Sequence, residues 1–256
     1  MTKSAPTLVV LAGALFWHSP AAAQRLTVAA ASDLQAALPA LAAQFEQATG
    51  HRVTITFGSS GNFFTQIQNG APFDVFLSAD SDYPRRLEQA GLAERGTLTE
   101  YATGRLVLWT RRDSGVDVRR GLTVLADAAV RKIAIANPSH APYGRAAVAA
   151  IRQAGVYDRI AAKLVMGENI SQAAQFAASG NADVGVLALS LAKAPTLAAA
   201  GSYVEIPASS HPPIDQAAVV LATSTQKRLA RRFVASLTQP EGARILQTFG
   251  FAPPRA

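Results

Sequence analysis

The sequence predicts an α/β protein of two lobes, each a mostly parallel sheet flanked by helices, joined by a hinge that the chain crosses twice. Three observations lead there. Short apolar runs alternate with stretches of helical apolar spacing, the pattern of parallel strands covered by helices. A tight polar turn separates each such strand from the helix after it. Two segments, one near Tyr101 to Leu106 and one from Ile206 to Gln216, break the alternation as chain crossings would.

The first residues stand apart from that pattern. Lys3 is followed by an apolar run from Leu8 to Trp17, a Ser-Pro break and Ala21 to Ala23 before Gln24, the layout of a secretory signal peptide. The run falls short of the ~20 apolar residues that cross a bilayer, so residues 1–23 are read as a cleaved signal and the mature chain as starting at Gln24. Export to the periplasm follows. The sequence contains no cysteine, which excludes a lipid-anchoring Cys, a disulfide framework and a thiolate metal site.

From Gln24 onward the elements read in order. Arg25 to Ala31 is a buried strand, and Ser32-Asp33 caps a helix whose apolar positions are Leu34, Leu38, Leu41 and Phe45. Arg52 to Phe57 alternates as a strand, Gly58-Ser59-Ser60-Gly61 is a turn, and residues 62–69 resume helical spacing. Asp74 to Leu77 is the next strand. After the first crossing, Arg105 to Trp109 opens a new strand. Lys132 to Ala136 leads through Asn137-Pro138 into a helix from about Gly144, and Lys163 to Met166 leads through Gly167 to Ser171 into another. Ala217 to Leu221 is a strand again, and Lys227 to Phe249 reads as one or two helices packed back on the first lobe through Leu229, Phe233, Leu237, Ile245 and Leu246. The lobes are accordingly 24–103 with 213–256, and 104–212.

Four polar turns each begin a helix: Ala31-Ser32-Asp33, Gly58-Ser59-Ser60-Gly61, His140 to Gly144, and Asn169-Ile170-Ser171. Taken singly, each is an ordinary cap or loop. Converging on one cleft, their free N–H groups, hydroxyls and positive dipole ends would form an anion site that needs no Lys or Arg.

Other chemistries find little support. The formal charge of +7 becomes +6 when the one basic residue of the signal, Lys3, is removed, and the basic residues are scattered in short pairs such as Arg85-Arg86 rather than gathered in a nucleic-acid stripe. Nucleophile-elbow, phosphate-loop and zinc-protease motifs are absent. His51 and His211 read as surface residues and His140 as a solvent-facing loop residue beside the site. Asp74 reads as a loop-fixing carboxylate.

The stretches Val28 to Leu34, Phe57 to Gly61, Gly70 to Asp80, Ala136 to Ala146, Gly167 to Ala173 and Phe249-Gly-Phe251 together resemble the periplasmic molybdate-binding proteins of ABC transporters. The resemblance runs in order through the whole mature chain. It implies a type II periplasmic-binding fold and a protein that is no enzyme and carries no cofactor, its ligand being molybdate or tungstate handed to an inner-membrane ABC permease by a monomer. It implies that Ser32, Ser60, Tyr143 and Ile170 hold the oxyanion, Ile170 through its backbone, with Asp33 and Ser59 adding backbone N–H groups. Where some members carry a binding Tyr, this chain has Ala188, and the resemblance assigns that place to the Tyr143 phenol. Sulfate or another small oxyanion is the alternative ligand, and an enzyme or ligand sensor on the same fold the alternative class.

Overall fold

The computed structural model describes residue 2 and residues 23–255. The signal segment read over residues 1–23 therefore lies almost wholly outside the described residues. The strands are β1 (Arg25–Ala31), β2 (Arg52–Gly58), β3 (Val75–Ser78), β4 (Thr99–Gly104), β5 (Leu106–Arg111), β6 (Ile133–Ala136), β7 (Leu164–Gly167), β8 (Val184–Ala188), β9 (Gly201–Glu205) and β10 (Ile214–Val220). The helices are α1 (Leu38–Thr49), α2 (Ser60–Gln68), α3 (Asp82–Gln89), α4 (Pro142–Gln153), α5 (Tyr157–Ile160), α6 (Ile170–Ser179), α7 (Leu189–Ala192), α8 (Pro195–Ala200), α9 (Lys227–Thr238) and α10 (Pro240–Thr248).

Two five-stranded sheets result, in the orders β2-β1-β3-β10-β4 and β7-β6-β8-β5-β9. Both are mixed. β1 runs parallel to β2 and β3, while β10 runs antiparallel to β3 and β4. In the second sheet β6 runs parallel to β7 and β8, and β5 antiparallel to β8 and β9. The antiparallel pairings all involve β5 or β10, the strands with which the chain enters each sheet after changing over. Only Arg105 separates β4 from β5, and residues 206–213 separate β9 from β10.

Side-chain alternation explains why the first sheet is covered twice. Successive strand residues face opposite sides, so Val28 and Ala30 join a core with Leu41, Phe45, Leu229 and Phe233, while Ala29 joins Phe63, Phe76 and Val219 on the other face. Phe45 and Phe233 meet edge-on at 5.1 Å and lock α1 to α9. The second lobe has one continuous core built on β5, β6 and β8, with Trp109, Ile135 and Val186 fully buried. Strands this apolar on both faces are what sheets covered by helices require.

One local reading is corrected. The helix expected to start at Ser32 is interrupted: Ser32–Gln35 forms a 3-10 turn, and α1 begins at Leu38 with a proline in its first turn. Pro39 has no N–H and is best placed at a helix start, so the chain makes a fresh start there. Ser32 consequently caps nothing within its own turn.

Asp74 works as a tether between segments. It accepts from Thr27 N–H at 2.7 Å and from Thr27 Oγ1 at 2.8 Å, and Ser224 Oγ donates to its other oxygen at 2.7 Å.

Candidate anion-binding site

The four polar turns follow the carboxyl ends of β1, β2, β6 and β7. β1 and β2 are neighbours in one sheet, and β6 and β7 in the other. The two pairs meet end to end across a cleft, the place where ligands bind in open α/β sheets. All six residues singled out in the sequence, Ser32, Asp33, Ser59, Ser60, Tyr143 and Ile170, line one cavity there, together with Ala31, Gly58, Ala79, Ala141 and Pro142.

The room in that cavity is about 10 Å³ for the centre of a water-sized sphere, far below the roughly 300–1,000 Å³ of pockets for drug-sized ligands. It suits one compact ion. No Lys or Arg belongs to its wall, and every one of the six residues is buried.

Its donors are main-chain groups at helix starts. Ser60, Tyr143 and Ile170 each lie in the first turn of α2, α4 or α6, where N–H groups have no acceptor within the helix. None of these three N–H groups makes a backbone hydrogen bond among the described residues. Neighbouring positions are satisfied differently. Asn169 Oδ1 accepts from the N–H groups of Ser171 and Gln172 at 3.0 Å each, and Gly61 N–H donates to His140 O at 2.8 Å across the cleft. Three helices of nine or more residues therefore direct unpaired N–H groups and positive dipole ends toward one small cavity.

The serines divide into two kinds. Ser60 Oγ accepts from Ala79 N–H at 2.9 Å and Ser32 Oγ from Ser171 N–H at 3.4 Å, so each hydroxyl is held by its oxygen with its proton free to donate. Ser59 Oγ is engaged otherwise: it caps Asn62 N–H at 3.4 Å and lies 2.8 Å from His140 Nδ1. His140 Nε2 faces Glu168 at 3.9 Å. A ring carrying its one proton on the Glu168 side would accept the Ser59 proton at Nδ1. Ser59 is left with its N–H for a ligand. The reading of His140 as solvent-facing is corrected here, because its side chain is only 19% exposed and couples the two lobes.

The Tyr143 hydroxyl also has a partner, deeper than the cavity wall. Gln216 Nε2 donates to Tyr143 Oη at 3.3 Å and to Asp33 Oδ2, and Tyr101 Oη donates to Gln216 Oε1 at 2.8 Å. A Cβ on Gly104, at the end of β4, would lie 2.2 Å from Tyr143 Oη, so only glycine lets the phenol sit against the hinge. The Tyr143 phenol also hydrogen-bonds the Asp33 carboxyl, which leaves the Tyr143 N–H as the group free for a ligand. Where the resemblance looked for a Tyr, Ala188 is fully buried and Ser190, two residues on, donates to Asp33 O at 2.7 Å.

Asp33 is fully buried, and burial pushes its carboxyl up to about 6 against the hydrogen bonds that favour its charge. Burial, with the Asp33 charge adding to it, likewise pushes Tyr143 and Tyr101 well above the ordinary phenol range. Around the rim the lobes are joined by Arg145 with Asp80, Asn62 with Glu168, and Ser171 with Gln35. Asp33, Gln216 and Tyr143 were not legible as a unit, since they are up to 183 residues apart in sequence. Among the described residues no cluster of His, Cys, Asp and Glu could hold a metal ion, and no helix is long and apolar enough to cross a membrane.

Two lobes closing on a cavity of N–H and O–H donors define a solute-binding protein. Residues 26–252 match the model of the bacterial extracellular solute-binding protein family, and the chain belongs to that family. The molybdate-binding protein ModA of Azotobacter vinelandii is 39% identical over 251 residues, covering 98% of this chain and 99% of its own. ModA of Rhodobacter capsulatus is 40% identical over 232 residues, covering 91% of this chain and 90% of its own. The solved structure of the Azotobacter vinelandii periplasmic molybdate-binding protein superposes with a TM-score of 0.83 at 38% identity, covering 90% of this chain and all of that one. These relatives are solute-binding proteins rather than enzymes.

Proposed function

We propose that this protein captures molybdate in the periplasm and delivers it to an inner-membrane ABC permease. The observation that carries the reading is the convergence of the free N–H groups of Ser60, Tyr143 and Ile170 and the hydroxyls of Ser32 and Ser60 on a small cavity with no basic side chain. Such a site neutralises a compact anion with dipoles and selects a tetrahedral oxyanion by shape. Its relatives are molybdate-binding proteins over nearly their whole length. Tungstate, close to molybdate in size and charge, binds the same way, and no cofactor takes part.

In this reading residues 24–103 with 213–256 form one lobe and 104–212 the other, moving about Arg105 and residues 206–213. The protein acts as a monomer, since both lobes must face one permease. Isothermal titration of the chain from Gln24 with molybdate, then with sulfate and phosphate as competitors, tests the assignment. Tight molybdate binding that excess sulfate barely disturbs is expected; preference for sulfate or phosphate would overturn it.

A further inference from the structure

Asp33 is the one acid on the cavity wall. Its two oxygens have unlike surroundings. Oδ2 accepts from Gln216 Nε2, and Tyr101 fixes that amide by donating to its Oε1 at 2.8 Å. Oδ1 is buried without any hydrogen-bond partner. An orphaned buried carboxylate oxygen is costly, and a bound dianion beside it would raise the cost, because two negative charges would share a small site without a cation.

We propose that Asp33 carries a proton into the complex and donates it, through Oδ1, to the bound oxyanion, so that binding near neutral pH takes up as much as one proton from solvent. The proposal rests on the oxyanion reading above and adds to it the protonation state of the site. Oδ1 gains the partner it lacks, and the anion gains a donor. The charge repulsion disappears with the same proton.

The groups around Asp33 are polar but uncharged, its own N–H, that of Leu34 and the Tyr143 hydroxyl among them. Tyr143 from α4 and Tyr101 from β4 are held neutral by burial. Gln216 from β10 is uncharged, Ser190 from α7 reaches only the Asp33 carbonyl, and no charged side chain contributes to the Asp33 shift. Burial already holds that carboxyl at about 6, and a nearby anion pushes it further in the same direction.

Titration calorimetry with molybdate from pH 5.5 to 8, repeated in two buffers of unlike ionisation enthalpy, measures the coupling directly over a range where molybdate itself stays deprotonated. The wild-type protein should take up protons on binding and lose affinity as pH rises, approaching tenfold per pH unit where Asp33 is ionised in the free protein. Asp33→Asn, whose amide is a permanent donor, should bind with no such slope and release the buffer dependence. Molybdate binding by the wild type with no proton uptake and a flat profile would overturn the proposal while leaving the functional reading intact. Absence of molybdate binding by either protein at every pH would overturn both.

Discussion

Ser59 and Ser60 are adjacent, identical and both buried, yet they do different work. Ser60 keeps its hydroxyl proton free, whereas the Ser59 hydroxyl is paired with His140 Nδ1. Replacing Ser60 or Ser32 by Ala should weaken molybdate binding by roughly 1–3 kcal/mol, the range for a hydrogen bond to a charged partner. Ser59→Ala should lose less, and Ile170→Val should change little, because the Ile170 side chain packs in the second-lobe core and Val preserves the N–H. Calorimetry on the four variants separates the cases; a loss at Ser59 equal to that at Ser60 would mean the His140 contact does not hold its proton. The four turns that hold these residues were legible in the sequence as polar helix starts, and the resemblance picked the six residues out of them. Their roles were not legible, because each hydroxyl's duty depends on a partner in a distant segment, His140 lying 81 residues from Ser59.

At the level of elements, the strand-turn-helix rhythm was legible because burial on both sheet faces leaves runs such as Ile133–Ala136 wholly apolar. The break between Ser32–Gln35 and α1 was not, since Leu34 and Leu38 keep helical spacing across it and only Pro39 marks the restart. The antiparallel course of β5 and β10 was also hidden, because a strand's direction in its sheet depends on how the chain returns across the hinge and leaves no trace in its own residues. The start of α2 is the element on which closure depends most tightly. A Cβ on Gly61 would fall 2.7 Å from the His140 carbonyl oxygen and 2.6 Å from Tyr83 Oη. A backbone atom cannot swing aside as a side-chain tip can, so Gly61→Ala should prop the lobes apart without unfolding either. The expected result is a molybdate affinity at least tenfold lower with an unchanged circular dichroism spectrum and a larger radius of gyration in the presence of ligand. An unaltered affinity would show that the cleft closes less tightly than the Gly61 to His140 contact requires.

For the molecule as a whole, the hinge and the site are one structure. Asp33 from the turn after β1, Gln216 from β10 and Tyr143 from α4 meet near Gly104, the residue before the chain passes between sheets at Arg105. Stability should register this through pH. The Asp33 carboxyl titrates at about 6 in the closed fold against an ordinary 3.8. Below about 4 it is protonated in both folded and unfolded chains and contributes no difference. As pH rises, the unfolded chain ionises first, so the fold loses stability progressively up to about 6 and no further above it. At 1.36 kcal/mol per pH unit the ceiling on this loss is about 3 kcal/mol. Asp33→Asn cannot ionise and escapes it. Urea titrations without ligand at pH 4.5 and 7.5 should therefore show the variant gaining on the wild type as pH rises, by up to about 2 kcal/mol if the free protein stays closed, since the unfolded chain is already largely ionised at pH 4.5. A smaller gain means that the free protein opens and lets water reach Asp33. No gain at all would mean that the carboxyl is already ionised within the fold, with a partner for Oδ1 that the closed structure does not contain.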